Sequence, residues 1–479
     1  MSLSGALSNA ISGLTANARG TSVISANIAN ALNEGYARRD VVLATDANQS
    51  SGGVRVVDVH RNANPVLAHE KRLALAEKAG AGVSSAFATG LERLWGSVDQ
   101  PGSVAEKLVR FETAILSAAA DPSASVRLRN VGHAAEAFAG ALRNVSNGIA
   151  QARTDADNHI ADAVDQMNRA LSNIDDLNDS IMSARHQGQD TLGLMDRREA
   201  ELEKLSQFVP LHVVERDSGA VAVFSSNGRT LLDTRAVEVS FEKQSAVLPH
   251  MTLGNGLLSG LRIDGKPVDV QKLQGGSLSA HFDLRDNQAV KAQATVDAIA
   301  RDVIERFGPG GPDPTVATGI PGIFTDQGGI FVPASEPGLA GRIELNANLS
   351  ATGSDPWRWR DGLNAPGQGD VGNSDLLLAL KAQIDVPRTP GSGSLPASAV
   401  SLTSHVHNTS TAVAAERVRA IDDAGAAEQK LDIARQAVAS NGVNTDQELQ
   451  KLIELEKSYA ANARVVRVVD DMLSELLGI

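Results

Sequence analysis

Residues 445–479 read TDQELQKLIELEKSYAANARVVRVVDDMLSELLGI. Leu452, Leu455, Tyr459, Asn462, Val466, Val469, Leu473 and Leu476 step alternately by three and four positions, the seam of a helix that packs along another helix. The opposite end of the chain carries the same pattern in Leu3, Leu7, Ala10, Leu14, Asn17, Thr21, Ile24, Ile28 and Ala31. Two ends that each present a seam need partners, either one another or the ends of other copies. A second stripe, Val465, Val468 and Met472, lies off the first C-terminal seam and gives that helix a further face to bury. Taken alone, a helix of this length loses more in ordering its residues than one apolar seam returns. Both ends are therefore expected to become helical as copies stack, and to be open to proteases before that. The polar seam residues Asn17, Thr21 and Asn462 either fix register, as buried Asn does in coiled coils, or face water.

Inward from the ends the pattern alternates between long helices and small β regions. After Asn33-Glu34-Gly35 come two short strands, around Val41-Val42-Leu43 and Val54–Val59. Asn64-Pro65 opens a helix toward Trp95, and a turn follows at Asp99-Gln100-Pro101-Gly102. Ser103-Val104-Ala105-Glu106 is a capping box for the next helix, and Thr445-Asp446-Gln447-Glu448 is another for the last. From Val131 to Ile181 helical spacing is sustained, and about 55 helical residues would extend roughly 80 Å. Strand-like segments return between 209 and 270, and helix resumes from Ser277 to Phe307. Gly308-Pro309-Gly310-Gly311-Pro312 and Thr389-Pro390-Gly391-Ser392-Gly393-Ser394 bracket a stretch of short elements that reads as an insertion or surface module. The expected fold is mainly α with small β subdomains, an α+β chain on a long helical, coiled-coil-like frame.

The chain has 479 residues, too many for one core. Aromatic residues are only 3% of it, which fits bundles filled with Ala, Leu, Ile and Val better than a large enzyme core. A formal charge of −13 with no long basic run opposes nucleic-acid binding. There is no cysteine, hence no disulfide, thiolate metal site or cysteine nucleophile. The first basic residue is Arg19 and polar residues interrupt each apolar run, so no cleaved secretory signal and no membrane span are expected.

Candidate chemistry is weak. Gly260–Lys266 has phosphate-loop glycine spacing, but Pro267 stands where a hydroxyl should hold a metal ion, and the segment reads as a hairpin with an Asp264-Gly265 turn. His405-Val406-His407 would align two imidazoles if extended, yet no third ligand lies near in sequence, and solvated histidines are the plainer reading. Trp357-Arg358-Trp359-Arg360 as a strand would place both indoles on one face, either over a small β core or as a platform for a sugar. Asp155, Asp157, Asp162, Asp165, Asp175, Asp176 and Asp179 lack the glycine and glutamate of a calcium loop and read as a solvated helix face. No catalytic residue, cofactor or metal is assigned.

The segment Ala26-Asn27-Ile28-Ala29-Asn30-Ala31-Leu32-Asn33-Glu34-Gly35-Tyr36-Ala37-Arg38-Arg39 resembles the N-terminal signature of the bacterial flagellar axial proteins, the rod, hook and hook-associated family. Leu32, Asn33 and Glu34 depart from the Asn, Thr and Pro usual there. Gly442-Val443-Asn444-Thr445-Asp446-Gln447-Glu448, continuing to Tyr459-Ala460-Ala461-Asn462-Ala463-Arg464-Val465-Val466 and Asp471-Met472-Leu473, is similar to the family's other end. Leu192-Gly193-Leu194-Met195-Asp196-Arg197-Arg198-Glu199 with Leu202 and Leu205, and Gly276-Ser277-Leu278, resemble the hook-associated members. Hook protein itself would be mostly β between its ends. Residues 309–337 and 386–400 carry no family signal.

The resemblance implies a structural polymer subunit rather than an enzyme, exported unfolded by the flagellar type III route to the extracellular hook–filament junction. Its partners would be other copies in a ring or tube, hook protein, the next hook-associated protein, and a cytoplasmic export chaperone on the C-terminal segment. The assembly residues it implies are Leu3, Leu7, Leu14, Ile24, Asn27, Ile28, Asn30, Gly35, Tyr36 and Arg38 at one end. At the other end they are the seam Leu452 to Leu476, for assembly or the chaperone. The implied division is 1–60 with 441–479 as a terminal polymerisation domain, 61–308 with 338–440 as a long helical domain with its β region at about 209–270, and 309–400 as the insertion. The competing readings are a hook or distal-rod subunit, or an outward module that binds glycan through Trp357 and Trp359.

Overall fold

The computed structural model describes residues 3–33, 35–45, 52–97, 100–270, 273–392, 398–476 and 478. Glu34 of the signature, Asp99 of the expected turn, and Gly393 and Ser394 of the second Gly/Pro-rich stretch lie outside them. In chain order the elements are α1 (Leu3–Ala29), β1 (Arg39–Thr45), β2 (Val54–Arg61), α2 (Pro65–Trp95), α3 (Val104–Ala120), α4 (Ser125–His186) and α5 (Leu192–Ser206). Then come β3 (Leu211–Glu215), β4 (Val221–Ser225), β5 (Thr230–Leu232), β6 (Val239–Ser240), β7 (Arg262–Ile263), β8 (Lys266–Pro267), α6 (Gly276–Asp283) and α7 (Ala289–Arg306), with one π-helical turn, Leu284–Gln288, joining the last two. The remainder is β9 (Phe324–Asp326), α8 (Leu339–Arg342), β10 (Ile343–Leu345), α9 (Arg358–Asp361), α10 (Asp375–Asp385), α11 (Leu402–Ser440) and α12 (Thr445–Leu476). The chain is mainly helical with four small antiparallel sheets among the described residues. None of the described helices is long and apolar enough to cross a membrane.

The chain divides into two compact units, one of Met1–Leu75, Arg169–Val237 and Glu428–Ile479, the other of Ala76–Asn168 and Glu238–Ala427. This differs from the division expected from the sequence. The β region at 209–270 is split, with the sheet β3-β4-β5 in the first unit and β6-β7-β8 in the second.

In the first unit α1 and α12 lie side by side. The β1–β2 hairpin pairs Arg39 with Arg61 and Thr45 with Val54, with a bulge between Val42 and Leu43. Asn64 accepts from the Val66 amide at 2.9 Å and so caps α2 one residue before its proline. The amide of buried Asn178 in α4 both donates to and accepts from the Val221 backbone, at 2.9 and 3.0 Å, and holds β4 as a neighbouring strand would.

The second unit has the large core. Phe111 of α3 meets Phe307, Phe324 and Trp359 edge-on at centroid distances of 6.1, 5.9 and 6.3 Å. Phe138, Leu142 and Ile149 of α4 and Val296, Ile299 and Val303 of α7 are wholly buried around them. Residues 309–400 are not set apart from this core. Val316, Ile323, Leu339, Ile343, Leu349, Leu363, Leu377 and Ile384 share it, each short element supplying one or two side chains.

Several local readings change with it. Trp357–Arg360 is not a strand: α9 is a single helical turn, Trp359 is 2% exposed with its Nε1 donating to Leu349 O at 3.2 Å, and Trp357 lies half-buried under Arg358. The two indoles therefore form no common platform. His405 and His407 sit in helix α11 rather than an extended segment, and His405 is buried, which lowers its pKa. Asp157 is not solvated; it is buried, paired with buried Arg285 at 2.6 Å, and accepts from the Gln244 amide. Asp175 is half-buried and accepts from the Ala236 amide, while Asp155, Asp162, Asp165, Asp176 and Asp179 are exposed. Gly260–Lys266 forms the expected hairpin, with Asp264 and Gly265 both at positive φ between β7 and β8. Ser103 caps α3 by accepting from the Glu106 amide at 3.1 Å, but the Glu106 carboxylate takes the Gly102 amide.

Candidate functional site

The two ends of the chain meet in the first unit. Contacts between α1 and α12 pair Gly13 with Asn462, Asn17 with Ser458, Gly20 with Leu455 and Asn27 with Glu448, so each step forward on α1 is a step back on α12 and the helices run antiparallel. Gly13, Gly20 and Asn27 are spaced one heptad apart, as are Glu448, Leu455 and Asn462. A Cβ at Gly13 would stand 2.6 Å from Asn462 Nδ2, and one at Gly20 would stand 2.7 Å from Leu455 Cδ1. The glycines are holes into which α12 side chains fit, and they allow the helices to approach closely.

This seam is not the one expected on α1. Ala10, Asn17 and Ile24 are buried, while Leu3, Leu7, Leu14 and Ile28 are only half-buried and Thr21 is exposed. Asn17 Nδ2 donates to Ser458 Oγ at 2.9 Å, which favours the register reading for this residue. Of the two partners foreseen for each end, the other end or other copies, the chain supplies the first itself.

The pair is closed by a polar cluster. Asn27 is fully buried and uses its whole amide: Nδ2 donates to Arg39 O at 2.9 Å and Glu448 Oε2 at 3.0 Å, and Oδ1 accepts from Tyr36 Oη at 2.9 Å and the Arg39 amide at 3.0 Å. Glu448, 1% exposed, also accepts from Arg38 Nε at 2.8 Å. Arg38 reaches Asp40 at 3.1 Å. Gly35 takes a φ of 89°, which supplies the turn that brings Tyr36 back onto Asn27. Burial raises the pKa of Tyr36, and Arg39 stacks over its ring at 4.9 Å. Asn30 donates to Ala26 O of its own helix at 2.8 Å.

Asp196 ties the hairpin to α5, accepting from Arg61 Nε at 2.7 Å, from Arg39 at 3.1 Å and from the Ala37 amide at 3.4 Å. Glu199 and Glu203 of α5 pair with Arg72 and Lys71 of α2, and buried Arg198 donates to Asn178 Oδ1 and Gly219 O.

Glu448 was absent from the expected site because Thr445–Glu448 reads as a capping box. Asn444 caps α12 instead, accepting from the Asp446 and Gln447 amides at 3.1 and 3.2 Å, which frees Glu448 for the cluster. Its signal was the spacing: the seam of Leu452, Leu455 and Asn462 extends back one step to it.

The outer faces of α12 are uncovered. Glu448 and Val469 are its buried residues, Leu452, Leu455, Asn462 and Val466 are half-buried, and Tyr459, Val465, Val468, Met472, Leu473 and Leu476 are exposed, Leu476 at 72%. No cluster of metal ligands occurs among the described residues.

Residues 89–308 match the family described as "Flagellar hook-associated protein FlgK helical domain", and residues 434–479 match "Flagellar basal body rod FlgEFG protein C-terminal". Flagellar hook-associated protein 1 of Bacillus subtilis (strain 168) is 23% identical over 520 residues, covering 97% of this chain and 96% of that protein. Over these residues the chain is similar to the flagellar hook-associated and rod proteins. The Escherichia coli (strain K12) protein of the same name is 24% identical over 321 residues, 64% of this chain and 56% of its own length. The flagellar hook junction protein FlgK from Burkholderia pseudomallei gives a TM-score of 0.45 at 19% identity, over 54% of this chain and 46% of that one. These similarities support a structural role in the bacterial flagellum.

Proposed function

We propose that this chain polymerises in a ring or tube through α1 and α12 and joins hook to filament. The observation that carries this is the incomplete burial of α12: its seam toward α1 is occupied, while Val465, Val468, Met472 and Leu476 are left in water. A contiguous apolar face on a helix that already has one partner calls for a second, and copies of the same helix pair supply it in a closed assembly. Hook protein and the next hook-associated protein then bound the ring, an export chaperone covers the C-terminal segment beforehand, and the chain leaves the cell by the type III route.

The test is a chain with Val465, Val468 and Met472 changed to Ser, supplied to cells that lack the native copy. The expected result is loss of filament attachment while the thermal transition of the Phe111 core stays unchanged. Normal attachment overturns the reading. Immunolabelling of the unmutated chain along purified hook–basal bodies is expected at the distal end of the hook; label along the hook or on the rod would make it a hook or distal-rod subunit instead.

A further inference from the structure

The glycine seam does not by itself fix how α1 and α12 align. Gly13 and Gly20 are equivalent holes one heptad apart, and Val469, Asn462 and Leu455 are knobs at the same spacing. Sliding α12 by one heptad would seat Val469 at Gly13 and Asn462 at Gly20, a comparable apolar and small-residue fit. It would also leave Asn27 facing Leu455. Apart from the Asn17–Ser458 hydrogen bond, which the slide would exchange for Val465 opposite Asn17, the seam is therefore degenerate under that slide, whereas the cluster at its end is not. Asn27 has no spare donor or acceptor in the observed register, and Glu448 is buried against it and against Arg38. Moving Glu448 away strips partners from three buried or half-buried polar groups, a strongly unfavourable change.

We propose that the Asn27–Glu448–Arg38 cluster, more than the single Asn17–Ser458 bond, sets the register of the terminal helix pair, and that releasing it lets α12 slide by one heptad, about 10 Å, along the glycine holes. A polar group that specifies alignment within an otherwise permissive seam is the role buried Asn plays in coiled coils. The inference concerns the chain itself and does not depend on the junction role.

The chain has no cysteine, so introduced pairs report register without background. Asn17→Cys with Ser458→Cys marks the observed register, where the native side chains are 2.9 Å apart. Asn17→Cys with Val465→Cys marks the shifted one. In the otherwise unmutated full-length chain, oxidation is expected to close the first pair and leave the second reduced. With Asn27→Ala and Glu448→Gln added, the second disulfide is expected to rise from a trace to a major species.

A further variant moves the lock rather than removing it. Glu448→Leu with Leu455→Glu places the carboxylate where Asn27 and Arg38 meet it only after the slide, and the shifted disulfide should then predominate. Closure of only the bridge between positions 17 and 458 in all backgrounds overturns the proposal. So does failure of both bridges in the released and the transplanted variants, since the cluster would then hold the helices together rather than choose their alignment.

Discussion

The core around Phe111 and the pair of α1 with α12 are both helix packed against helix, yet one is finished and the other is not. In the core, successive turns of α3, α4 and α7 place Ile115, Phe138, Leu142 and Val303 out of water entirely, and short elements from 309–400 close the remaining sides. On α12 the side turned to α1 is occupied and the rest is open. The core buries its apolar surface within its own unit, whereas the terminal pair fixes an alignment and leaves apolar surface for something else. Large aromatic side chains fill the first, while glycine, asparagine and a single buried carboxylate specify the second.

The contrast breaks first in the core. Phe111→Ala removes a ring that touches Phe307, Phe324 and Trp359, and is expected to cost about 3–5 kcal/mol in denaturant unfolding. A loss under about 1 kcal/mol would mean the core is far looser than its burial implies. Asn27→Ala is expected to cost less, about 1–3 kcal/mol, by leaving buried partners unsatisfied. The loss should appear as protease cleavage within 3–33 and 445–476 while the Phe111 core stays intact.

Much of this architecture was legible in the chain. The helices from Pro65 to Trp95 and from Val104 to Ala120, and the two strands around Val41–Leu43 and Val54–Val59, follow from caps and periodicity. The long helix runs 62 residues, past the glycines that interrupt its pattern. What escaped depends on partners distant in sequence. A search for apolar stripes passes over Gly13 and Gly20, whose use is to be small. Glu448 carries a charge, and its place on the seam makes sense only once Asn27 and Arg38 stand opposite. Trp357–Arg360 alternates as a strand would, but Trp359 is pulled into the core by a hydrogen bond to Leu349 and takes one turn of helix. Residues 309–400 looked external because glycine and proline dominate their composition, while their apolar residues are spaced too irregularly to show a face.

A smaller effect separates the regions by pH. Burial of His281, with His159 stacked on it at 5.0 Å, lowers its imidazole pKa to about 4. A folded-state value below the unfolded 6.5 means that its contribution is present above pH 6.5 and is lost as pH falls toward 4. Asp297 acts in the opposite sense. Burial raises it to about 6 against three donors, Gly338, Ala340 and Gln293, so its contribution is present below pH 3.8 and is lost as pH rises through 6. The two partly cancel, and the unfolding midpoint of the second unit should change little between pH 7 and 5. Buried His405, whose pKa is also lowered, acts in the same sense as His281, so in the double variant His281→Gln, His405→Gln the Asp297 effect is left and the midpoint should rise on acidification; a midpoint that falls over the same range would contradict the assignment. Smallest of all, Leu476→Ala is expected to leave the isolated chain within about 0.5 kcal/mol of the original, because that side chain is already in water.

Completion of the terminal pair by other copies is tested most directly by hydrogen exchange read on the same peptides before and after assembly. In the isolated chain, amides of 445–476 should exchange far faster than those of 131–160 in α4; in purified hook–filament preparations the 445–476 amides should become protected while 131–160 stay as they were. Equal protection of both segments in the isolated chain, or no gain at 445–476 on assembly, would contradict it.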